Sequence, residues 1–137
     1  PKEQLEHLKH FERVKVRNSL PKMKFSVIID AAIGTNLEGP PRGRTLDVIT
    51  VLNHTDNDSC VISLDVPTGM VADTGEAPGD VVKADITMSI ALPKVGVKPG
   101  GNVGRLFVGD LSLPVPLFET LRIPPVELPA YVTEVVL

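Results

Sequence analysis

The chain has 137 residues, 42% of them hydrophobic and 23% charged, with 14 basic against 17 acidic side chains for a formal charge of -3. That is room for one domain with one core, and the lack of any long basic run excludes a surface that tracks nucleic-acid phosphates. No apolar stretch approaches the ~18 residues of a membrane span, the first residues are charged rather than signal-like, and the one cysteine, Cys60, cannot form an internal disulfide. The expected setting is cytoplasmic or organellar (mitochondrial) rather than secreted, and because residue 1 is a proline the natural protein is expected to begin earlier.

Leu5, Leu8 and Phe11 recur at intervals of three, with Glu3 and Glu6 near the amino end. This predicts an amphipathic helix over 1–11 whose apolar stripe needs a sheet to lie on. Val14 and Val16 alternate with Lys15 and Arg17, predicting a short half-exposed strand, and residues 19–24 around Pro21 read as a loop. The near-continuous apolar run over 25–29 predicts a parallel strand covered on both faces. Gly34, Gly39, Pro40, Pro41 and Gly43 then mark a shaped loop rather than a floppy linker.

A helix over 45–53, with Leu46, Ile49 and Leu52 on one face, leads through a turn at Thr55, Asp56, Asn57 and Asp58 into a strand over 59–64. Strand, loop, helix and strand make a βαβ unit, expected to cross over right-handed. Strands over 84–92 and 105–110 flank a Gly/Pro/Lys-rich loop, which makes the class α/β. Pro114, Pro116, Pro124, Pro125 and Pro129 predict an extended tail over 114–137.

Two of these strands stop at an aspartate, Asp30 and Asp65. Ligands of open parallel sheets sit outside the carboxyl ends of the strands, so adjacent strands would aim both carboxylates into one crevice. From the residues alone, Asp65 reads as a general acid or base, or as a cap on the following turn. Asp30 reads as a ligand for a hard cation or as a solvated acid. The loop over 34–43 reads as a nucleotide wrap or a stiff turn. Gly100, Gly101 and Gly104 lack the strand-to-helix context of a dinucleotide fingerprint and read as a turn. His7 and His10 have no third ligand nearby, and His54 is placed to bond carbonyls at its helix end. Ser63 lies within a strand rather than on a nucleophile elbow. Lys94 and Lys98 are loop lysines that could touch phosphate.

Several linked stretches carry a resemblance: Ile28-Ile29-Asp30-Ala31-Ala32-Ile33-Gly34-Thr35-Asn36-Leu37, Gly39-Pro40-Pro41-Arg42-Gly43, Ser63-Leu64-Asp65-Val66-Pro67-Thr68-Gly69, Ala72-Asp73-Thr74-Gly75, and Lys83-Ala84-Asp85-Ile86-Thr87 leading to Leu92-Pro93-Lys94. In this order and spacing the chain resembles the NAD(P)H-hydrate epimerase family, the YjeF N-terminal domain. The resemblance implies a Rossmann-like three-layer αβα sandwich with a mostly parallel central sheet. It implies interconversion of the R and S forms of hydrated NADH and NADPH, a cofactor repair completed by a separate dehydratase, and a homodimer. Carried over by position, Asp65 would be the catalytic acid/base and touch substrate, and Gly34, Thr35, Asn36, Leu37, Glu38, Gly39 and Pro40 would line it. Asp30 and Thr68 would help hold a potassium ion, Thr68 standing where the family usually has serine.

The family's upstream Asn-Gly-Gly-Asp-Gly-type loop has no counterpart in the sequence. The chain therefore resembles the carboxyl-terminal portion of one such domain, spanning 1–137 and lacking its amino-terminal part. A non-catalytic nucleotide-binding or scaffold module of the same fold is the competing expectation, and a phosphate-transfer enzyme is disfavoured by the lack of a P-loop string.

Overall fold

The computed structural model describes residues 2–19, 24–55 and 58–136. In chain order the elements are α1 (Lys2–Leu8), β1 (Val27–Asp30), α2 (Arg44–Asn53), β2 (Cys60–Leu64), β3 (Ile86–Ile90), β4 (Arg105–Gly109), α3 (Val115–Leu121) and β5 (Val132–Val135). The strands form a single sheet in the order β1-β2-β3-β4-β5, with β1 to β4 parallel and β5 antiparallel to β4. The α/β class and the mostly parallel sheet agree with the expectation from the sequence.

Register decides which side chains share a face. Ile28 pairs with Val61, Asp30 with Ser63, Ser63 with Thr87, Thr87 with Leu106, and Ser89 with Val108. On this face α2 seats Ile49 and Leu52 over Val61, with Val82 beside them and Ile28 against the cluster. The loops after β2 and β3 bring Val66, Met70, Ala72, Val97 and Val103 onto Leu106. Each fully covered aliphatic, such as Ile49 at 0% exposure, contributes roughly 1.5–3 kcal/mol by leaving water.

Only the first parallel crossover contains a helix; β2 to β3 and β3 to β4 are joined by loop among the described residues. Those loops stay close because glycine removes the obstacle where they meet. A Cβ on Gly96 would lie 2.1 Å from the Gly75 nitrogen, a separation no side chain tolerates.

The opposite face is open along the edge strands β1 and β5 and half-buried at Ile62, Met88 and Phe107 between them. Val27 is 53%, Ile29 61% and Val132 51% exposed, so β1 is covered on one face rather than on both. The predicted first helix forms as α1 but buries none of its residues, and Leu5, Leu8 and Phe11 stay exposed rather than lying on the sheet. Val14 and Val16 are irregular and exposed, so the predicted strand there is not formed. A short hydrophobic stripe selects a local conformation without naming a partner.

The tail is not extended throughout. It holds α3, with Pro116 in the first turn and Phe118 buried, then β5. Arg122 closes α3 in the left-handed conformation at φ 56°, the usual geometry of a helix stop. Leu20, Pro21, Lys22 and Met23 of the predicted 19–24 loop, and Asp56 and Asn57 of the predicted turn, lie outside the described residues. No helix among the described residues is long and apolar enough to cross a membrane.

Candidate functional site

Asp30 is the last residue of β1 and is 2% exposed. Its register partner Ser63 donates a hydroxyl hydrogen bond to one carboxylate oxygen at 2.8 Å. The Thr68 amide reaches the same oxygen at 2.9 Å. The other oxygen accepts from the Thr68 hydroxyl at 2.7 Å and from the Ala32 amide at 3.4 Å. Thr68 in turn accepts from the Ile33 amide at 3.1 Å. The carboxylate is thereby paired on both oxygens by the chain itself, and it ties the end of β1 to the loop behind β2.

Asp65 follows β2 immediately and stands at φ 71°, a left-handed conformation that aspartate accepts more readily than most side chains. Its backbone is held by β3: the amide donates to the Met88 carbonyl at 2.8 Å and the carbonyl accepts from the Ser89 hydroxyl at 3.3 Å. Its carboxylate pairs with the Lys94 ammonium, and the side chain remains 23% exposed. The Ile90 amide approaches the same oxygen at 3.5 Å, while the other oxygen lies 3.2 Å from where a Gly34 Cβ would stand. A Cβ there would be tight enough to push the carboxylate by a few tenths of an ångström.

The two aspartates therefore do not share one crevice, as the strand ends alone suggested. Asp30 is enclosed among its donors, and Asp65 is the one left accessible. The loop after β1, which passes Asp65 at Gly34, goes on to line a cavity of about 300 Å³ with Ile33, Leu37, Glu38, Gly39, Pro40, Pro41, Arg42 and Thr45 on its wall. Four of the expected substrate residues, Leu37, Glu38, Gly39 and Pro40, line this cavity. Gly34 meets Asp65 instead, and Thr35 and Asn36 are exposed on the loop between. Arg42 belongs to the loop expected to wrap a nucleotide, Thr45 joins the lining without such an expectation, and the contacts of Ser63 and Lys94 with the aspartates were not foreseen from the sequence. Strand register supplies the Ser63 contact, and a fold from the β3–β4 loop supplies Lys94.

Oxygen donors such as Asp30 and Thr68 have the chemistry a hard cation takes. Here, however, both carboxylate oxygens are already engaged, the Thr68 carbonyl accepts from the Val82 amide at 2.9 Å, and no buried side-chain polar atom among the described residues lacks a partner. By themselves these residues do not fit a potassium ion unless the Thr68 hydroxyl lets go of Asp30. No group of three or more His, Cys, Asp or Glu side chains suited to a metal occurs among the described residues. His54 does what its position suggested, with Nδ1 2.7 Å from the Thr50 carbonyl. Asp85 is structural at its carboxylate, accepting the Val61 amide at 2.8 Å.

A family model for the YjeF-related protein N-terminus matches residues 2–96. The chain belongs to this family. It is 57% identical over 131 residues to the NAD(P)H-hydrate epimerase of Truepera radiovictrix, covering 95% of this chain and 58% of that protein. It is 43% identical over 88 residues to the NAD(P)H-hydrate epimerase of Dehalogenimonas lykanthroporepellens, covering 64% of this chain and 35% of the relative. A protein of Thermofilum pendens named bifunctional NAD(P)H-hydrate repair enzyme Nnr is 39% identical over 102 residues, or 72% of this chain and 19% of its own length. The crystal structure of yeast ynu0 superposes with a TM-score of 0.66 at 21% identity, over 80% of this chain and 46% of the yeast chain. That likeness is one of fold. The chain thus spans a little over half, or less, of the length of the relatives it matches.

Proposed function

We propose that this chain carries the acid/base carboxylate for epimerising hydrated NADH and NADPH, an isomerase reaction of cofactor repair. The observation that supports the reading is the accessible Asp65 carboxylate set against Gly34, at the head of the loop that lines the cavity. Family membership and the epimerase names of the Truepera and Dehalogenimonas relatives favour the same chemistry.

The substrate carries a hydroxyl on a ring carbon next to nitrogen. Asp65 takes the hydroxyl proton as the carbon–nitrogen bond breaks and passes it to the nitrogen, which keeps the bond's electron pair, and a carbonyl forms. Rotation and closure on the other face reverse these transfers and return the proton. A positioned acid/base contributes about 10²–10⁴-fold to such a step. The cavity between Leu37 and Thr45 would hold the nucleotide part, with Arg42 on its wall to meet the phosphates. No step of this reading passes through potassium, which belongs to it only where further ligands release Thr68 from Asp30. A second copy of the chain and a dehydratase that consumes one epimer complete the proposal; the Thermofilum relative's name places bifunctional repair in a single protein.

A non-catalytic assembly module is the second reading, favoured by the open sheet face with Val27, Ile29 and Val132 exposed. The two are separated by incubating the chain with one pure epimer of hydrated NADPH and following both epimers by chromatography. Appearance of the second epimer above the buffer control supports the enzyme. Retention of nucleotide without exchange contradicts it and supports the module.

A further inference from the structure

We infer that Lys94 is a positioning residue for Asp65, an inference that rests on the epimerase reading above. Lys94 lies in the loop after β3, yet its ammonium reaches back across the strand ends to the Asp65 carboxylate. The same nitrogen donates to the Ile90 carbonyl at 2.8 Å, and the side chain is only 18% exposed. A long, flexible cation is thus fixed at two points.

Asp65 needs that anchor because the rest of the chain holds its backbone, not its carboxylate. The amide and carbonyl are tied to Met88 and Ser89. Once Lys94 is removed, the donor left to the carboxylate among the described residues is the Ile90 amide at 3.5 Å, at the outer limit of a hydrogen bond. The carboxylate would then rotate away from Gly34. The loop segment Ala31, Ala32, Ile33, Gly34 contains no charged side chain to replace the lysine. Lys94 accordingly belongs with Asp65 at the reacting end of the site rather than with the phosphates, and it acts through the carboxylate rather than on the substrate.

The test compares the chain with Lys94→Met, Lys94→Arg, Asp65→Asn and the Lys94→Met/Asp65→Asn double variant, using epimer exchange of hydrated NADPH. Misplacement of a reacting group by an ångström costs about 100-fold in rate, so Lys94→Met is expected to lower kcat by about 10- to 100-fold with little change in KM. Lys94→Arg recovers most of the loss, and Lys94→Met adds nothing once Asp65 is asparagine. A normal kcat in Lys94→Met overturns the inference, and so does a raised KM at unchanged kcat, which would make Lys94 a phosphate contact. A wild-type chain without exchange overturns the epimerase reading instead. The pair is then judged by thermal unfolding of the same variants: a double variant less destabilised than the sum of the singles supports it, and additive shifts overturn it.

Discussion

Asp30 and Asp65 end adjacent strands, but their neighbours give them different work. Asp30 is enclosed by Ser63, Thr68 and Ala32, and Asp65 is left facing Gly34 with Lys94 at its side. Removing the Thr68 hydroxyl leaves a buried carboxylate short of a donor. Thr68→Val is therefore expected to destabilise the chain by about 1–3 kcal/mol in urea unfolding, and Thr68→Ser by much less. Because Asp30 already has its donors, exchanging potassium chloride for tetramethylammonium chloride at equal ionic strength should leave the thermal midpoint of this chain unchanged. A potassium-specific rise would mean that Asp30 releases Thr68 to the ion. The aspartates and glycines were legible in the sequence as positions. Their partners were not, since Ser63 lies 33 residues from Asp30 and meets it only through strand register.

At the scale of elements, the sequence was most readable where burial alternates or recurs with the period of the structure. The helix expected over 45–53 and the strands over 59–64, 84–92 and 105–110 correspond to α2, β2, β3 and β4 with small shifts at their ends. The stripe of α1 and the apolar run of β1 announced burial that this chain does not provide, because the pattern records a preference and not the presence of a covering layer. The prolines of the tail concealed α3, since proline is tolerated in a helix's first turn. They also gave no sign of β5, which is secured by register against β4 and by a two-pronged Arg105–Glu134 pair at 2.8 and 2.9 Å. The Arg105 hydrogen bonds hold the Glu134 carboxyl below its ordinary value of 4.5. A depressed carboxyl contributes stability above its unfolded value and loses it as pH falls through the folded one. The difference in thermal midpoint between wild type and Glu134→Gln should therefore be present at neutral pH and shrink in acid below pH 4.5. A difference that does not change with pH would show that the ion pair is not its source. Both groups face solvent, so salt should weaken the effect.

As a whole, the molecule is a mostly parallel sheet with one face covered and one face exposing Val27, Ile29 and Val132. Parallel sheets ordinarily have both faces covered, and this chain spans 58% of its Truepera relative. The fold class followed from the order of elements, whereas the open face required the burial of each strand to be seen. The carboxyl ends of β1, β2 and β3 nevertheless gather Gly34, Asp65 and Lys94 into one constellation. Asparagine also accepts the left-handed backbone of residue 65, so Asp65→Asn removes the carboxylate without straining the turn. The decisive measurement is the initial rate at which one pure epimer of hydrated NADPH yields the other, for wild type and Asp65→Asn at equal folded fraction. A loss of about 10²–10⁴-fold in the variant is the predicted result. Equal rates would contradict the role given to Asp65.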